Sequence, residues 1–211
     1  MNEGDRPLAS SRCVPPMLPR CSPGEARTAR LLPKAFFRRP VEVVARELLG
    51  HHLVHGEVRL RVLETEAYGG PQDSASHCRF GRTARNAHMW EEGGRAYIYL
   101  CYGLQHMLNI VTGEVGQGEA VLIRGCEVLA GLELVRERRG GTRGCPLLDG
   151  PGKVAQALGL DLSFNGHLMY QRGGLELRRG DPPAGILEGP RVGVGYASIQ
   201  DREAPLRFLL R

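Results

Sequence analysis

The sequence predicts a single α+β domain in which helices flank a mostly antiparallel, curved β-sheet. A length of 211 residues suits one ordinary domain and is short for two. The 29 glycines and 14 prolines indicate many turns and disfavour an all-helical bundle. Short runs of alternating apolar residues outnumber helical patterns, and the sequence contains no internal repeat.

The predicted elements follow from local patterns. Pro40 suits the first turn of a helix, and Gly50 suits its left-handed C-terminal position. Leu129, Leu132 and Val135 form one apolar stripe, which indicates a second helix. In chain order the predicted elements are a helix over 40–50, a hairpin of strands 53–54 and 58–67, a loop over 69–94, strands over 96–102, 107–112 and 120–124, a helix over 128–138, a short helix opened by Pro151, and strands over 175–178 and 191–196.

The N-terminal segment differs from the rest of the chain. Residues 1–30 combine prolines with scattered charges and lack apolar periodicity, which predicts a disordered or loosely attached tail before a domain over 31–211. The segment has no apolar stretch typical of a secretory signal, and no apolar run reaches the roughly 18 residues that span a bilayer. We therefore expect a cytoplasmic protein, associated with the nucleoid if bacterial, that does not bind membranes.

The arginines, cysteines and histidines of the chain indicate which ligands the protein could bind. The chain has a net charge of +5, and all but Lys34 and Lys153 of its 28 basic residues are arginine. Arginine suits bidentate phosphate binding, although a compositional bias could produce the same count. The six cysteines form no C-x-x-C motif, and we expect the histidines at 51, 52 and 55 to be solvated strand residues. The sequence therefore predicts no metal and no cofactor.

One predicted strand carries two carboxylates and a phenol. Because side chains alternate along a strand, Glu64, Glu66 and Tyr68 share a face. Burying two carboxylates is costly unless donors compensate them. Three interpretations stay open here: a solvated edge strand, a general base beside an aromatic clamp, and a magnesium nuclease. The nuclease is disfavoured because Tyr68 stands where such strands usually carry lysine.

A second stretch, Tyr97–Gly103, is rich in tyrosine. Tyr97 and Tyr99 share a face and could simply fill the core. Tyr102 directly precedes a glycine, which predicts a turn tip rather than a core position. An exposed aromatic residue at a turn suits a wedge that enters a base stack.

Eight motifs occur in one order along residues 31–208: Glu64–Tyr68, His77, Arg85–Asn86, Tyr97–Gly103, Leu108–Ile110, Leu122–Arg124, Gly150–Lys153 and Arg191–Gly195. Each is short, but their common order is specific, and together they resemble the alkyladenine (3-methyladenine) DNA glycosylase family. The resemblance implies a fold like the C-terminal domain of formyltransferases. It also implies a monomeric, cofactor-free and monofunctional enzyme. Such an enzyme flips alkylated or deaminated purines out of double-stranded DNA and hydrolyses the N-glycosidic bond, which starts base-excision repair.

The resemblance further implies roles for single residues. Glu66 matches the general base, and Arg124 matches the residue that positions the attacking water. The base-binding pocket would contain Tyr68, His77, Tyr99 and Asn109, the last of which excludes the guanine amino group. Tyr102 would intercalate, and the DNA backbone would contact Arg82, Arg85 and Lys153.

Two other functions remain to be separated from this one. Lys153 lies in a Gly-Pro-Gly-Lys turn and could be the amine nucleophile of a bifunctional glycosylase/lyase. A non-catalytic RNA-binding module of the same fold is the second alternative. It would have no reason to direct an acid and several aromatic side chains into one pocket.

Overall fold

The computed structural model describes residues 29–141 and 148–211. Within these ranges one antiparallel sheet of eight strands forms the centre of the fold, and short helices pack around it. This arrangement confirms the predicted α+β class. The predicted tail, residues 1–30, lies outside the described residues except for its last two, so that segment and the domain boundary stay predictions.

The strands are β1 (His52–His55), β2 (Val58–Tyr68), β3 (Ala96–Cys101), β4 (Gln105–Thr112), β5 (Glu119–Ala130), β6 (Leu175–Arg178), β7 (Ile186–Gly189) and β8 (Arg207–Leu210). Their spatial order is β3–β4–β5–β2–β1–β6, and β8 pairs with both β2 and β7. β2 is therefore internal, with β5 on one side and β1 followed by β8 on the other. The edge-strand interpretation of Glu64–Tyr68 is wrong.

The helices are α1 (Lys34–Phe37), α2 (Val41–Leu48), α3 (Leu132–Arg138), α4 (Pro151–Leu158) and α5 (Ile199–Glu203). The apolar sides of α2 and α4 are buried in the main core cluster with residues of β2, β4 and β5. Pro40 is the N-cap of α2, and Gly50 follows the helix with a φ of +83°. Among the described residues, no helix is long and apolar enough to cross a membrane.

Irregular pairing within β2 changes which residues face the core. Even-numbered residues from 58 to 62 are buried in the main apolar cluster, whereas farther along the strand Ala67 takes that position. The register between β2 and β5 shifts between Val62 and Thr65, as at a β-bulge. The shift leaves three side chains on the opposite face of the sheet: Glu64, Glu66 and Tyr68.

Two predicted elements are wrong in part or in whole. The helix expected over 128–138 begins only at Leu132, because β5 continues to Ala130 and pairs there with β2. Gly131, with a φ of +76°, separates the strand from the helix. The strand expected over 191–196 is an irregular segment with turns. The C-terminal strands are instead β7 and β8, which pair with each other and bring the chain end against β2.

Candidate active site

A row of side chains crosses four strands on the sheet face that carries Glu66. Tyr97 of β3 stands opposite Asn109 of β4. Asn109 also stands opposite Leu122 of β5, which in turn stands opposite Glu66 of β2. Directly paired residues share a face, so these four side chains lie next to one another. The sheet register thus brings Glu66 and Asn109 to one site.

The Glu66 carboxylate is fully buried and is bonded at both oxygens. The Val192 N–H donates to Oε1 at 2.9 Å, and the Tyr68 O–H donates to Oε2 at 2.8 Å. Arg124 Nε lies 3.6 Å from Oε1. Burial raises the pKa of the Glu66 carboxyl, whereas the two hydrogen bonds and Arg124 lower it without cancelling the rise. A carboxylate with a raised pKa is a better proton acceptor.

Glu64 has a different environment. Arg207 Nε donates to its Oε1 at 2.5 Å, and Arg124 Nε lies 2.9 Å from the same oxygen. Glu64 is therefore bound by two cations, whereas the hydrogen bonds to Glu66 come from neutral donors. Of the two carboxylates on this face, Glu66 is the better placed to accept a proton.

A pocket of about 50 Å³ opens beside the row. Its wall includes all four predicted pocket residues: Tyr68, His77, Tyr99 and Asn109. The ring centroids of His77 and Tyr99 are 4.5 Å apart, and Asn109 Nδ2 donates to the Tyr97 carbonyl at 3.1 Å. The structure thus supplies aromatic faces and one side-chain amide around a single cavity.

His77 is neutral at physiological pH. Its Nδ1 lies 2.9 Å from the Tyr97 hydroxyl, and burial together with Arg85 and Arg79 lowers its pKa to about 4. Tyr97 is only 1% exposed, so the core-filling interpretation is correct for this tyrosine, and burial raises its pKa to about 12. Tyr97 and Tyr99 both line the pocket.

The loop between β2 and β3 covers one side of the pocket. It contains a 3₁₀ turn at Ala87–Trp90, and Met89 of that turn reaches the pocket wall. Asn86 Nδ2 donates to the carbonyls of His77 and Gly81, both at 3.0 Å. Asn86 therefore fixes the part of the loop that carries His77. The sequence motif included Asn86 but gave it no such role.

A groove of about 780 Å³ adjoins the pocket and shares four of its wall residues: Tyr68, His77, Tyr99 and Tyr196. Arg124, Arg85 and Tyr102 also line the groove. The Arg85 guanidinium lies over the Tyr99 ring, 5.5 Å from its centroid, and donates to the Leu100 carbonyl at 3.2 Å. Arg79 is a third arginine on the groove wall, so three cationic side chains and the exposed Tyr102 border the groove.

Tyr102 is in the turn between β3 and β4, with 94% of its surface exposed. Its φ is +50°, and that of Gly103 is +70°. The predicted turn tip is confirmed. At the start of β4, Gln105 lies against α4 so closely that a Cβ on Gly152 would be 1.8 Å from Gln105 Oε1. A residue without a side chain is needed for this approach.

The remaining predicted DNA contacts differ in position. Arg82 is exposed on the same loop as Arg85. Lys153 Nζ forms an ion pair with Asp149 at 2.5 Å and is not among the residues lining the groove or the pocket. The N-terminal residue of its helix, Pro151, does line the groove.

The segment after β7 contributes to the site in a way that local sequence patterns do not predict. A strand was expected there, whereas Val192 directs its N–H at Glu66 and Tyr196 lines the pocket. Arg191 pairs with Asp73 and is also fully buried at its side chain. The Arg-Val-Gly-Val-Gly stretch was the only sequence signal, and its turn at Gly193 has a φ of +78°.

Residues 29–141 and 148–211 contain no group of three or more His, Cys, Asp or Glu side chains arranged to hold a metal ion. The cysteines at 78, 101 and 126 are free thiols. Burial raises the pKa of the Cys78 thiol to about 11.

Comparison with known proteins gives a consistent result. Residues 35–211 match the family described as methylpurine-DNA glycosylase. The chain is 54% identical over 180 residues to a Nitrosococcus oceani protein named as a 3-methyladenine DNA glycosylase, covering 85% of this chain and 90% of the relative. It is 48% identical over 181 residues to the DNA-3-methyladenine glycosylase of Arabidopsis thaliana, covering 85% and 71%. The chain therefore belongs to the methylpurine-DNA glycosylase family.

Proposed function

We propose that this protein is a monofunctional DNA glycosylase that removes alkylated or deaminated purines from double-stranded DNA. The observation that carries the proposal is the hydrogen bond from Tyr68 to Glu66, because Tyr68 also lines the aromatic pocket and the adjoining groove that arginines border. Its partner is duplex DNA with a damaged purine, bound by a monomer in the cytoplasm. Family membership supports this function over a non-catalytic RNA-binding module.

Base extrusion is the first proposed step. Removing a base from the stack costs a few kcal/mol, and the cost is lowest for damaged or mispaired bases. Tyr68, His77 and Tyr99 would stack on the extruded purine, and each stacked base contributes about 1–3 kcal/mol. Tyr102 would fill the space left in the duplex, and Asn109 would contact the base edge. These contributions offset the cost of extrusion.

Hydrolysis is the second proposed step. The bond between C1′ and the base nitrogen breaks, its electron pair leaves with the purine, and the sugar develops oxocarbenium character. A water oxygen bonds to C1′ and gives its proton to Glu66. Arg124, 3.6 Å from Glu66, would orient this water. A purine methylated at N3 or N7 already carries positive charge and leaves as a neutral base. A neutral purine such as hypoxanthine leaves with the electron pair as an anion and takes up a proton from solvent.

Access of water to Glu66 sets a requirement on this mechanism. Glu66 has no exposed surface in the free protein, and it is in contact with Tyr68, Arg124 and Val192. All three of these residues line the groove. The proposal therefore requires one of them to shift when DNA binds and to admit the water.

The function is tested with duplexes that contain 3-methyladenine, 7-methylguanine, hypoxanthine or ethenoadenine at one position. We expect release of the free base from at least one of them and no covalent protein–DNA adduct with borohydride, because the Lys153 amine is paired with Asp149. A glycosylase/lyase treated in parallel is the positive control. A trapped adduct that disappears in Lys153→Ala would establish the bifunctional mechanism instead.

DNA binding is expected to depend strongly on salt, because arginines border the groove. Each phosphate neutralised contributes a slope of about −0.9 in log affinity against log salt. We expect Arg82→Ala, Arg85→Ala and Arg124→Ala each to reduce the slope, measured by fluorescence anisotropy. Arg179→Ala is the matched control, since exposed Arg179 follows β6 at the far edge of the sheet. An affinity that does not change with salt would contradict backbone-directed binding.

A further inference from the structure

Both groups that hydrogen-bond to Glu66 are connected to one buried arginine. Arg191 precedes Val192, whose N–H donates to Glu66 Oε1. Its guanidinium carbon also lies over the ring of Tyr68, 4.7 Å from the centroid, and the hydroxyl of that ring donates to Glu66 Oε2. The Arg191 side chain thus contacts Tyr68, the donor to Oε2. Arg191 also directly precedes Val192, the donor to Oε1.

The Arg191 guanidinium is held by acceptors from three segments. Its two terminal nitrogens donate to the two carboxylate oxygens of Asp73 at 2.6 and 2.9 Å. They also donate to the carbonyls of Ala67 at 2.9 Å and Asp201 at 3.1 Å. The side chain is completely buried. Arginine's planar fork allows this bidentate and stacked arrangement, which lysine cannot reproduce.

Asp73 is fixed in turn by the chain that follows β2. Its carboxylate accepts hydrogen bonds from the N–H groups of Gly69 and Ala75, both at 2.9 Å. Ala75 lines the base pocket. The ion pair therefore joins the turn after β2 and the nearby pocket wall to the segment that carries Val192, which is more than a hundred residues away in sequence.

Stability alone is a weak reason for such a pair. Burying two charges costs several kcal/mol per ion, and apolar substitutes for buried pairs are often as stable. What a bidentate pair supplies is a fixed geometry. Here that geometry determines where the Tyr68 ring and the Val192 amide lie relative to Glu66.

We propose that Arg191 is a positioning residue for base excision, which holds Tyr68 and the Val192 amide against Glu66 and so fixes the orientation of that carboxylate. The inference rests on the proposed role of Glu66 as the general base. Arg191 does not contact the reacting atoms. It acts through the two groups that do contact Glu66.

A change in the hydrogen bonds to Glu66 would change the pH dependence of excision. The charged and titratable groups around Glu66 and its neighbour Glu64 come from four segments. They are Tyr68 and Glu64 from β2, Arg124 from β5, Arg207 from β8 and Arg191 from the segment after β7. The active form of Glu66 is the deprotonated one, so excision rises as pH passes upward through its pKa. The Val192 and Tyr68 hydrogen bonds lower that pKa. Loosening them raises it, and the acidic limb of the profile then moves to higher pH.

The experiment measures single-turnover excision of hypoxanthine against pH for wild type and Arg191→Lys. We expect the acidic limb of Arg191→Lys to move upward by about one pH unit and the excision rate below it to fall about tenfold. We expect affinity for a duplex with an abasic-site analogue to stay within about twofold, because the groove arginines are unchanged. If Arg191→Lys does not fold, Asp73→Asn replaces it in the experiment. This variant weakens the same ion pair at the carboxylate, and we expect it to shift the acidic limb in the same direction.

The matched control is Arg178→Lys. Arg178 forms a partly buried ion pair with Oε2 of Glu176 on β6, the far edge strand, so this substitution makes the same arginine-to-lysine change in an ion pair away from the site. We expect it to lower the melting temperature without moving the pH profile. If Arg191→Lys only lowers the melting temperature and its profile overlays that of wild type, Arg191 is structural and the inference is wrong. If Glu66→Gln excises at the wild-type rate, the proposed general base itself is wrong.

Discussion

Glu66→Gln is expected to reduce single-turnover excision about 10²–10⁴-fold, the range attributed to general acid–base catalysis, while leaving the fold and DNA binding unchanged. The amide can still accept the Val192 N–H at its oxygen, and its nitrogen can donate to the Tyr68 hydroxyl. What the variant loses is the proton acceptor and the negative charge beside the developing oxocarbenium ion. Rates of base release at fixed pH and the affinity for undamaged duplex measure the two properties separately.

Glu64→Gln is the matched control, because Glu64 lies on the same sheet face two residues away. Its carboxylate binds Arg207 and Arg124, so we expect a smaller loss of excision than in Glu66→Gln. If Glu66→Gln excises hypoxanthine at nearly the wild-type rate, Glu66 is not the base. A large loss in Glu64→Gln alone would then identify Glu64 as the proton acceptor.

Tyr102→Ala is expected to lower excision with little change in stability. The side chain is 94% exposed, so its removal leaves no cavity, and surface substitutions usually change stability by no more than about 0.5 kcal/mol. If Tyr102 fills the gap in the duplex as proposed, the extruded base returns to the stack more often without it. The loss should be larger for hypoxanthine opposite cytosine than opposite a mismatched base, because mispairing lowers the extrusion cost.

Tyr97→Ala provides the contrast for this prediction. Tyr97 is buried, and truncation of a large buried aromatic side chain costs about 3–5 kcal/mol. Melting temperatures of the two variants, together with excision rates on the two duplexes, separate the roles. A large fall in melting temperature for Tyr102→Ala, with no dependence on the opposing base, would show that Tyr102 belongs to the core.

Local patterns in the sequence predicted many of the site residues but not the tertiary contacts that orient them. Strand periodicity placed Glu64, Glu66 and Tyr68 on one face, and the glycine at 103 indicated the turn that exposes Tyr102. Neither observation could show that a bulge in β2 turns that face away from the main core, because the shift depends on pairing with β5. The individual roles of Glu66, Arg124 and the pocket residues came from the family resemblance and remain to be tested.

The errors have a common physical cause. Residues 128–130 carry an apolar pattern that also fits the start of a helix, and only pairing with β2 keeps them in a strand. The alternating valines and glycines from 192 to 195 resemble a strand, but their backbone turns. In this conformation the Val192 N–H donates to Glu66, and Arg191 forms an ion pair with Asp73. Contacts between distant segments decide both cases, and a local pattern contains no information about them.

The close approach of Gly152 to Gln105 has a mechanical consequence. If Tyr102 intercalates as proposed, the duplex exerts a force on the hairpin that carries it. A two-stranded hairpin that packs against no other element would bend easily under this force. Here Gln105, at the start of β4, packs against α4, whose apolar residues are buried in the main core. Packing against α4 would therefore stiffen the hairpin, and insertion of Tyr102 would deform the DNA more than the protein.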